Sequence, residues 1–273
     1  MSISVLNNIS SLVAENAVTN TQASLQKNLQ QLSTGLKINS GADDPAGLSI
    51  AAGLGASIAA LTQSSQNASD GIGLLQTADG ALSQVNTILN QAVTIATEAS
   101  NGGLTTDQST ALDTEFQSIL TEITNIGSTT NYNGTAVFSA TANTTFTSDG
   151  TASGANTTST AVGVLTPTSL ALNGSVLTST AAAQTALTAI TAAINTVSAT
   201  RGTIGASINQ LTSETNVENT QVQNLTSAQN NVQNADIASV TYNLTQYNIL
   251  EQTGFAAISQ SNAAEQNVLK LLQ

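Results

Sequence analysis

The chain has no histidine, no cysteine and no tryptophan among its 273 residues. Without imidazole or thiol, serine–histidine–aspartate and cysteine–histidine nucleophile systems are impossible, as are the usual zinc sites and the HExxH protease motif. Lack of cysteine also leaves no disulfide to place, so the chain can unfold and refold without a redox step. Basic charge is scarce: Lys27, Lys37, Arg201 and Lys270 stand against sixteen acids, for a net charge of -12. Four scattered bases cannot form the cationic footprint that nucleic acid requires, nor the basic face of a helix lying on lipid. Only 7% of residues are charged and 3% aromatic, where about a quarter charged is usual for a globular domain. A core of Ala, Leu, Ile and Val with few rings suits closely spaced helices better than a broad globular interior.

Long apolar runs are also wanting. No stretch approaches the roughly 18–20 continuous apolar residues of a membrane span. The first twenty residues carry no base, since the first lysine is Lys27, and Ser and Asn interrupt their apolar positions. That is not a secretory signal. The expectation is a protein that stays in the cytoplasm or leaves without a cleaved signal.

What the chain does contain is helical periodicity at both ends. Leu25, Leu29, Leu32 and Leu36 fall in steps of four, three and four. A similar spacing runs through Leu187, Ile190, Ile194, Val197, Ile204, Ile208, Leu211, Val222 and Leu225. Such spacing keeps one seam of a helix against another helix over many turns. A first helix over about 4–35 stops near Gly35, and a short Ala/Gly-rich helix is expected to end towards Gln66. The next helix, carrying Leu75, Ala78, Leu82, Val85, Leu89, Ala92, Ala96 and Ala99, ends at Asn101-Gly102-Gly103. A returning helix from about Asp107 presents Leu112, Phe116, Ile119, Ile123 and Ile126 on one face, and Asn131-Tyr132-Asn133-Gly134 supplies a hairpin-type turn. A helix from about Thr180 to Asn234 would span about 80 Å. Arg201, Thr215, Glu218 and Gln229 interrupt its seam, which costs stability but can fix register. A weakly amphipathic helix over about 237–270 closes the chain.

Between these helices, residues 139–180 dissolve into Ser, Thr, Asn, Gly and Ala and read as filler. Ala161–Leu165 and Ser175–Leu177 are the strand-like pieces within it. The fold class is therefore mainly α: an elongated antiparallel helical rod, coiled-coil-like, with a small β element in the middle. Structured ends around a dispensable middle point to assembly and away from catalysis. The apolar residues of the two arms, Leu6, Ile9, Leu25, Leu29, Leu32, Leu250, Phe255, Ile258, Val268 and Leu269, are the candidate self-assembly surface. A lone pair of arms gains about 25 cal/mol per Å² of apolar burial against about 1–2 kcal/mol per residue of ordering. Residues 1–40 and 235–273 are thus expected to be poorly ordered until neighbouring chains cover them.

Ser40 and Asp43 have capping-box spacing, and Asp44-Pro45 suits an N-cap followed by the first helical position. The two acids could instead be a metal pair, but no third or fourth oxygen ligand clusters with them. No catalytic residue, metal or cofactor is assigned. Arg201, the one base inside the long seam, is expected in an ion pair.

At this point the residues resemble a family. Leu32-Ser33-Thr34-Gly35-Leu36-Lys37-Ile38-Asn39-Ser40 with Asp43-Asp44-Pro45-Ala46-Gly47-Leu48 is similar to the connector of bacterial flagellins. So are Asn67–Ile72, Leu75–Leu82, Phe116, Glu122-Ile123 and Tyr132-Asn133-Gly134. Arg201-Gly202, Glu218-Asn219, Asn234-Ala235-Asp236 and Gln266-Asn267-Val268-Leu269 agree in the second half. The resemblance covers about residues 1–138 and 181–273. It implies a terminal D0 pair (1–40 with 236–273), a D1 body (41–138 with 181–235) and a short variable segment (139–180). It further implies type III export without a cleaved signal, polymerisation under a cap protein, and a hook-junction protein and export chaperone as partners beside the chain itself. The localisation implied is the extracellular filament. O-linked modification of Ser/Thr in 139–160 fits such a protein. Recognised relatives carry arginines where this chain has Gln91, Val93 and Thr94, so weak activation of animal innate receptors is implied, although Glu122 is retained.

The function expected is the structural subunit of a flagellar filament serving swimming motility. The rivals are a hook-filament junction protein, which shares the terminal plan without forming long polymers, and an amphipathic surface-coating protein. An enzyme lacks its reactive groups.

Overall fold

The computed structural model describes residues 8–139, 143–147 and 157–271. Its elements in chain order are α1 (Ile9–Thr34), α2 (Pro45–Ala99), α3 (Thr106–Thr129), β1 (Asn131–Tyr132), β2 (Thr135–Ala136), β3 (Asn143–Thr147), β4 (Thr157–Ala161), α4 (Thr180–Gln233) and α5 (Ile237–Leu271). The fold is mainly helical, as the patterning requires, with two two-stranded antiparallel sheets among the described residues. The chain divides into two compact units: Met1–Ala56 with Asn224–Gln273, and Ser57–Gln223. The division falls within α2 and within α4.

In the Ser57–Gln223 unit, α2, α3 and α4 pack around one apolar core. Leu75, Ala78, Val85, Leu89 and Ala92 of α2 are fully buried with Phe116 and Ile123 of α3 and Ile190, Ala193 and Leu211 of α4. Two links between α2 and α4, Asp79 with Arg201 and Asn86 with Ser198, run in opposite sequence order and make the pair antiparallel. The turn after Ala99 reverses the chain, and α3 opens on a reciprocal cap. Thr105 Oγ1 accepts from the Gln108 backbone N–H, and Gln108 Oε1 accepts from the Thr105 N–H. At 133–134 the chain turns tightly between β1 and β2. Asn133 (φ 48°) and Gly134 (φ 79°) both take the left-handed region that a two-residue hairpin needs.

Two expectations about this unit are corrected. The break expected near Gln66 does not occur: α2 is one continuous helix of 55 residues. Gly71 and Gly73 lie within it, and a Cβ at position 73 would sit 2.7 Å from the Tyr132 hydroxyl oxygen. The glycine is there for a close approach to the hairpin, not to end the helix. The second correction concerns the filler. Val162, Leu165, Leu170, Leu172 and Leu177 are all buried in the shared core. The stretch 162–179 holds no strand, and of the pieces expected to be β only Ala161 is in one. Instead the segment is an irregular strap tied to α3. The Leu177 N–H donates to Asp113 Oδ1 at 2.7 Å, and Gln117 Nε2 donates to the Ser175 carbonyl at 3.0 Å. Upstream, β3 and β4 pair antiparallel from Asn143↔Ala161 to Thr147↔Thr157.

The apolar character of α2 is spread along the helix. By length and composition it includes a stretch of at least 18 residues apolar enough to cross a membrane, little of it buried. Ala, Gly and Ser interleaved with Leu and Ile produce that average without a continuous apolar run.

Candidate assembly surface

The arm unit is built from two helices and the connectors that join them to α2 and α4. Asn8 caps α1, its Oδ1 accepting from the Ser11 N–H at 3.0 Å, and Gly35 (φ 73°) ends it in the left-handed conformation. Asp236 opens α5, its Oδ1 accepting from the N–H groups of Ala238 (3.0 Å) and Ser239 (3.4 Å). The arms run antiparallel. Asn8 meets Ser261 and Glu265, Val18 lies against Gly254, and Gln22 Nε2 donates to Glu251 Oε1 at 3.1 Å. Gly254 is required by that contact, because a Cβ there would collide with Val18 Cγ2. At the other end the chain segments after α1 and before α5 pair as backbone. The Ala235 N–H donates to the Gly35 carbonyl at 2.9 Å, and the Lys37 N–H to Gln233 at 2.6 Å.

The acids of the connector are committed to this scaffold. Asp44 Oδ1 accepts from the Gly47 N–H at 2.9 Å, with Pro45 at the first helical position of α2. Asp43 does not close a capping box with Ser40, because no helix starts there. Its Oδ2 accepts from the N–H of Asn39 (3.2 Å) and from the N–H and hydroxyl of Ser40 (both 3.1 Å). Its Oδ1 pairs with Lys27 Nζ of α1 at 2.9 Å. The lysine first, then the backbone donors, lower its pKa from 3.8 to about 2. In the other unit, Arg201 makes a two-pronged pair with Asp79, Nε to Oδ1 at 2.7 Å and a terminal guanidinium nitrogen to Oδ2 at 3.2 Å. That hydrogen bonding raises the arginine's pKa further. Glu218, which interrupts the α4 seam, is buried, and Gln229 Nε2 donates to the Ala51 carbonyl at 3.2 Å. Among the described residues no group of three or more acids gathers as a metal site would need.

Of the candidate assembly residues whose side chains are described, four are exposed and three half-buried. Ile9 is 65% exposed, Phe255 50%, Leu29 46% and Leu250 44%, whereas Leu25, Leu32 and Ile258 are half-buried. Leu6 and the side chains of Val268 and Leu269 lie outside the described residues. Sequence reasoning did not single out Leu12, Val13, Ile50, Ile237 and Tyr242, which are also exposed. Leu12 and Val13 are adjacent and so cannot share one seam, and a search for a single 3.5-residue stripe passes over such a pair. On α5, Tyr242, Thr245, Gln246, Ile249 and Leu250 line a shallow groove of about 230 Å³ at helical spacing. A second, half-open cavity of about 340 Å³ lies in the other unit between Leu82, Phe138, Val162, Leu170 and Val197.

The comparisons with known proteins agree with the motifs. Residues 5–143 match the bacterial flagellin N-terminal helical region, and residues 187–272 match the bacterial flagellin C-terminal helical region. A flagellin of Halalkalibacterium halodurans is 35% identical over 249 residues, covering 91% of this chain and 92% of that protein. A flagellin of Bacillus subtilis is 33% identical, covering 97% of this chain and 98% of that protein. The crystal structure of Bacillus cereus flagellin is 30% identical and covers 56% of this chain and 88% of that one, with a TM-score of 0.48. Two terminal helical regions matched in order, and relatives matched along nearly their whole length, place this chain among the bacterial flagellins.

Proposed function

We infer that this chain is the structural subunit of a bacterial flagellar filament, serving motility, and that it polymerises through the uncovered apolar faces of α1 and α5. Membership of the flagellins supports the first part. One observation carries the second: of thirteen large apolar residues exposed among the described residues, only Val164, Val176 and Val217 lie outside the arm unit. Apolar surface concentrated on two thin helices is a poor use of a monomer's residues. It is a good use of a polymer's, where covering it gains about 25 cal/mol per Å². A face that meets a different face on the next copy does not close on itself, and repetition then builds a helix.

The same reading assigns the arms their marginal order in a lone chain. It assigns the finished filament an extracellular location, reached by type III export without a cleaved signal. The partners beyond the chain itself are the cap, the hook-junction protein and an export chaperone. It gives the chain no catalytic role. Gln91 and Thr94 are exposed on α2 and Val93 is half-buried, and without arginines there the filament subunit is expected to activate animal innate receptors weakly.

Electron microscopy of the purified chain, dissociated by heat and then seeded, tests the reading. Long uniform tubes are the expected result. Short stubs or monomers under every condition would instead favour a junction protein.

A further inference from the structure

The arms are held by few apolar contacts: a backbone bridge ties them at one end, and at the other end one residue joins both helices. Asn8 uses both ends of one amide. Its Oδ1 accepts from the Ser11 N–H, capping α1, and from Ser261 Oγ of α5, both at 3.0 Å. Its Nδ2 donates to Glu265 Oε2 at 3.0 Å and approaches Asn262 Oδ1 at 3.5 Å. The amide cannot be turned over, because the Ser11 N–H must face an acceptor and an ionised carboxylate must face a donor. Val18 and Asn28 are the only residues of α1 that are buried; the backbone bridge at Gly35 and Ala235 fixes the pair at one end and Val18 on Gly254 midway, so the Asn8 end is left to this polar contact. A specific polar contact in a weak helical seam fixes register at little gain in stability.

We propose that Asn8 is a positioning residue for filament assembly: at the end of the pair away from the backbone bridge it pins the start of α1 in register on α5, by joining the cap of one helix to Ser261 and Glu265 of the other. The proposal rests on the reading that the paired arms are the assembly surface. Aspartate is as good an N-cap as asparagine, so a residue that only capped α1 would accept Asn8→Asp without loss. A register pin would not, because the new carboxylate faces Glu265. The reversed pair, Asn8→Asp with Glu265→Gln, restores the bond with donor and acceptor exchanged, and keeps both the Ser11 cap and the Ser261 bond.

The test is the critical concentration for growth from seeds, with the full chain unsubstituted and as N8D, E265Q and N8D/E265Q, at one ionic strength. Circular dichroism checks that the Ser57–Gln223 unit stays helical in each. N8D is expected to raise the critical concentration about tenfold, the effect of one lost charge-assisted bond. E265Q, whose amide oxygen still accepts, and the reversed pair are expected to stay within about threefold of the unsubstituted chain. Growth of N8D at the unsubstituted concentration, or failure of the reversed pair to recover, would overturn the register pin and leave the filament reading standing. No growth by the unsubstituted chain would overturn the filament reading, and the pin with it.

Discussion

The two units of this chain spend their apolar residues in opposite ways. Of the thirty-three apolar residues buried among those described, only Val18, Ile38, Ala51 and Val240 belong to the arm unit, and the rest lie in Ser57–Gln223. The exposed large apolar residues divide the other way. One unit is a three-helix body whose core is complete in a single copy. The other is a pair of helices held by Val18 against Gly254, a few amide and carboxylate bonds, and a short backbone bridge at Leu36 and Asn234. The difference shows that one chain can hold a core completed in a single copy beside a region that leaves most of its large apolar side chains uncovered.

The contrast is broken most severely by removing residues 237–273. Seeded growth should be lost altogether, while the melting transition of the Ser57–Gln223 unit, followed by circular dichroism, stays in place. Long filaments from the truncated chain would mean that the arms are not the assembly surface. Next in size is a matched pair of truncations. Phe116→Ala empties a fully buried site and should cost about 3–5 kcal/mol in a denaturant melt. Leu250→Ala, at a side chain 44% exposed, should shift monomer stability by no more than about 0.5 kcal/mol and yet raise the critical concentration for growth. Equal effects of the two on the melt would erase the distinction between the units.

A smaller effect is expected where the strap meets α3. A Cβ at Gly127 would collide with the Leu165 carbonyl, so Gly127→Ala should destabilise the body by about 1–3 kcal/mol and loosen residues 162–177 to proteolysis. An unchanged cleavage pattern would show that the strap is not part of the core. The least effect belongs to the Lys27–Asp43 pair. Because the Asp43 pKa is lowered from 3.8 to about 2, its contribution is complete above pH 3.8 and is lost as the pH falls through about 2. In Lys27→Gln the titration midpoint of Asp43, followed by carboxyl-carbon NMR, should rise towards 3.8. An unmoved midpoint would assign the effect to the Asn39 and Ser40 donors alone.

Where local chemistry alone decides an element, the sequence was a good guide. Gly35, Asn101-Gly102-Gly103 and Asn133-Gly134 each mark a real end or turn, and at Gly35, Asn133 and Gly134 the left-handed backbone favours those residues. The stripe over Phe116, Ile119 and Ile123 is buried as its spacing requires. Long-range effects were not legible. The continuity of α2 past Gln66, with Gly73 close against Tyr132, was not read, and Leu165, Leu170, Leu172 and Leu177 have no period and sit among Ser and Thr. Their burial is decided by α3, through Asp113 and Gln117, which hold the strap in place. At the arms, Leu29, Leu250 and Phe255 were identifiable as apolar helix positions. The role of Asn8 was hidden, because its partners lie more than 250 residues away in the chain.

Hydrogen–deuterium exchange compared between monomer and filament tests the central claim most directly. The amides of α1 and α5 should exchange quickly in the monomer and slowly in the filament, while those of α2, α3 and α4 within Ser57–Gln223 stay protected in both. Arms as strongly protected in the monomer as the three-helix body would contradict the account.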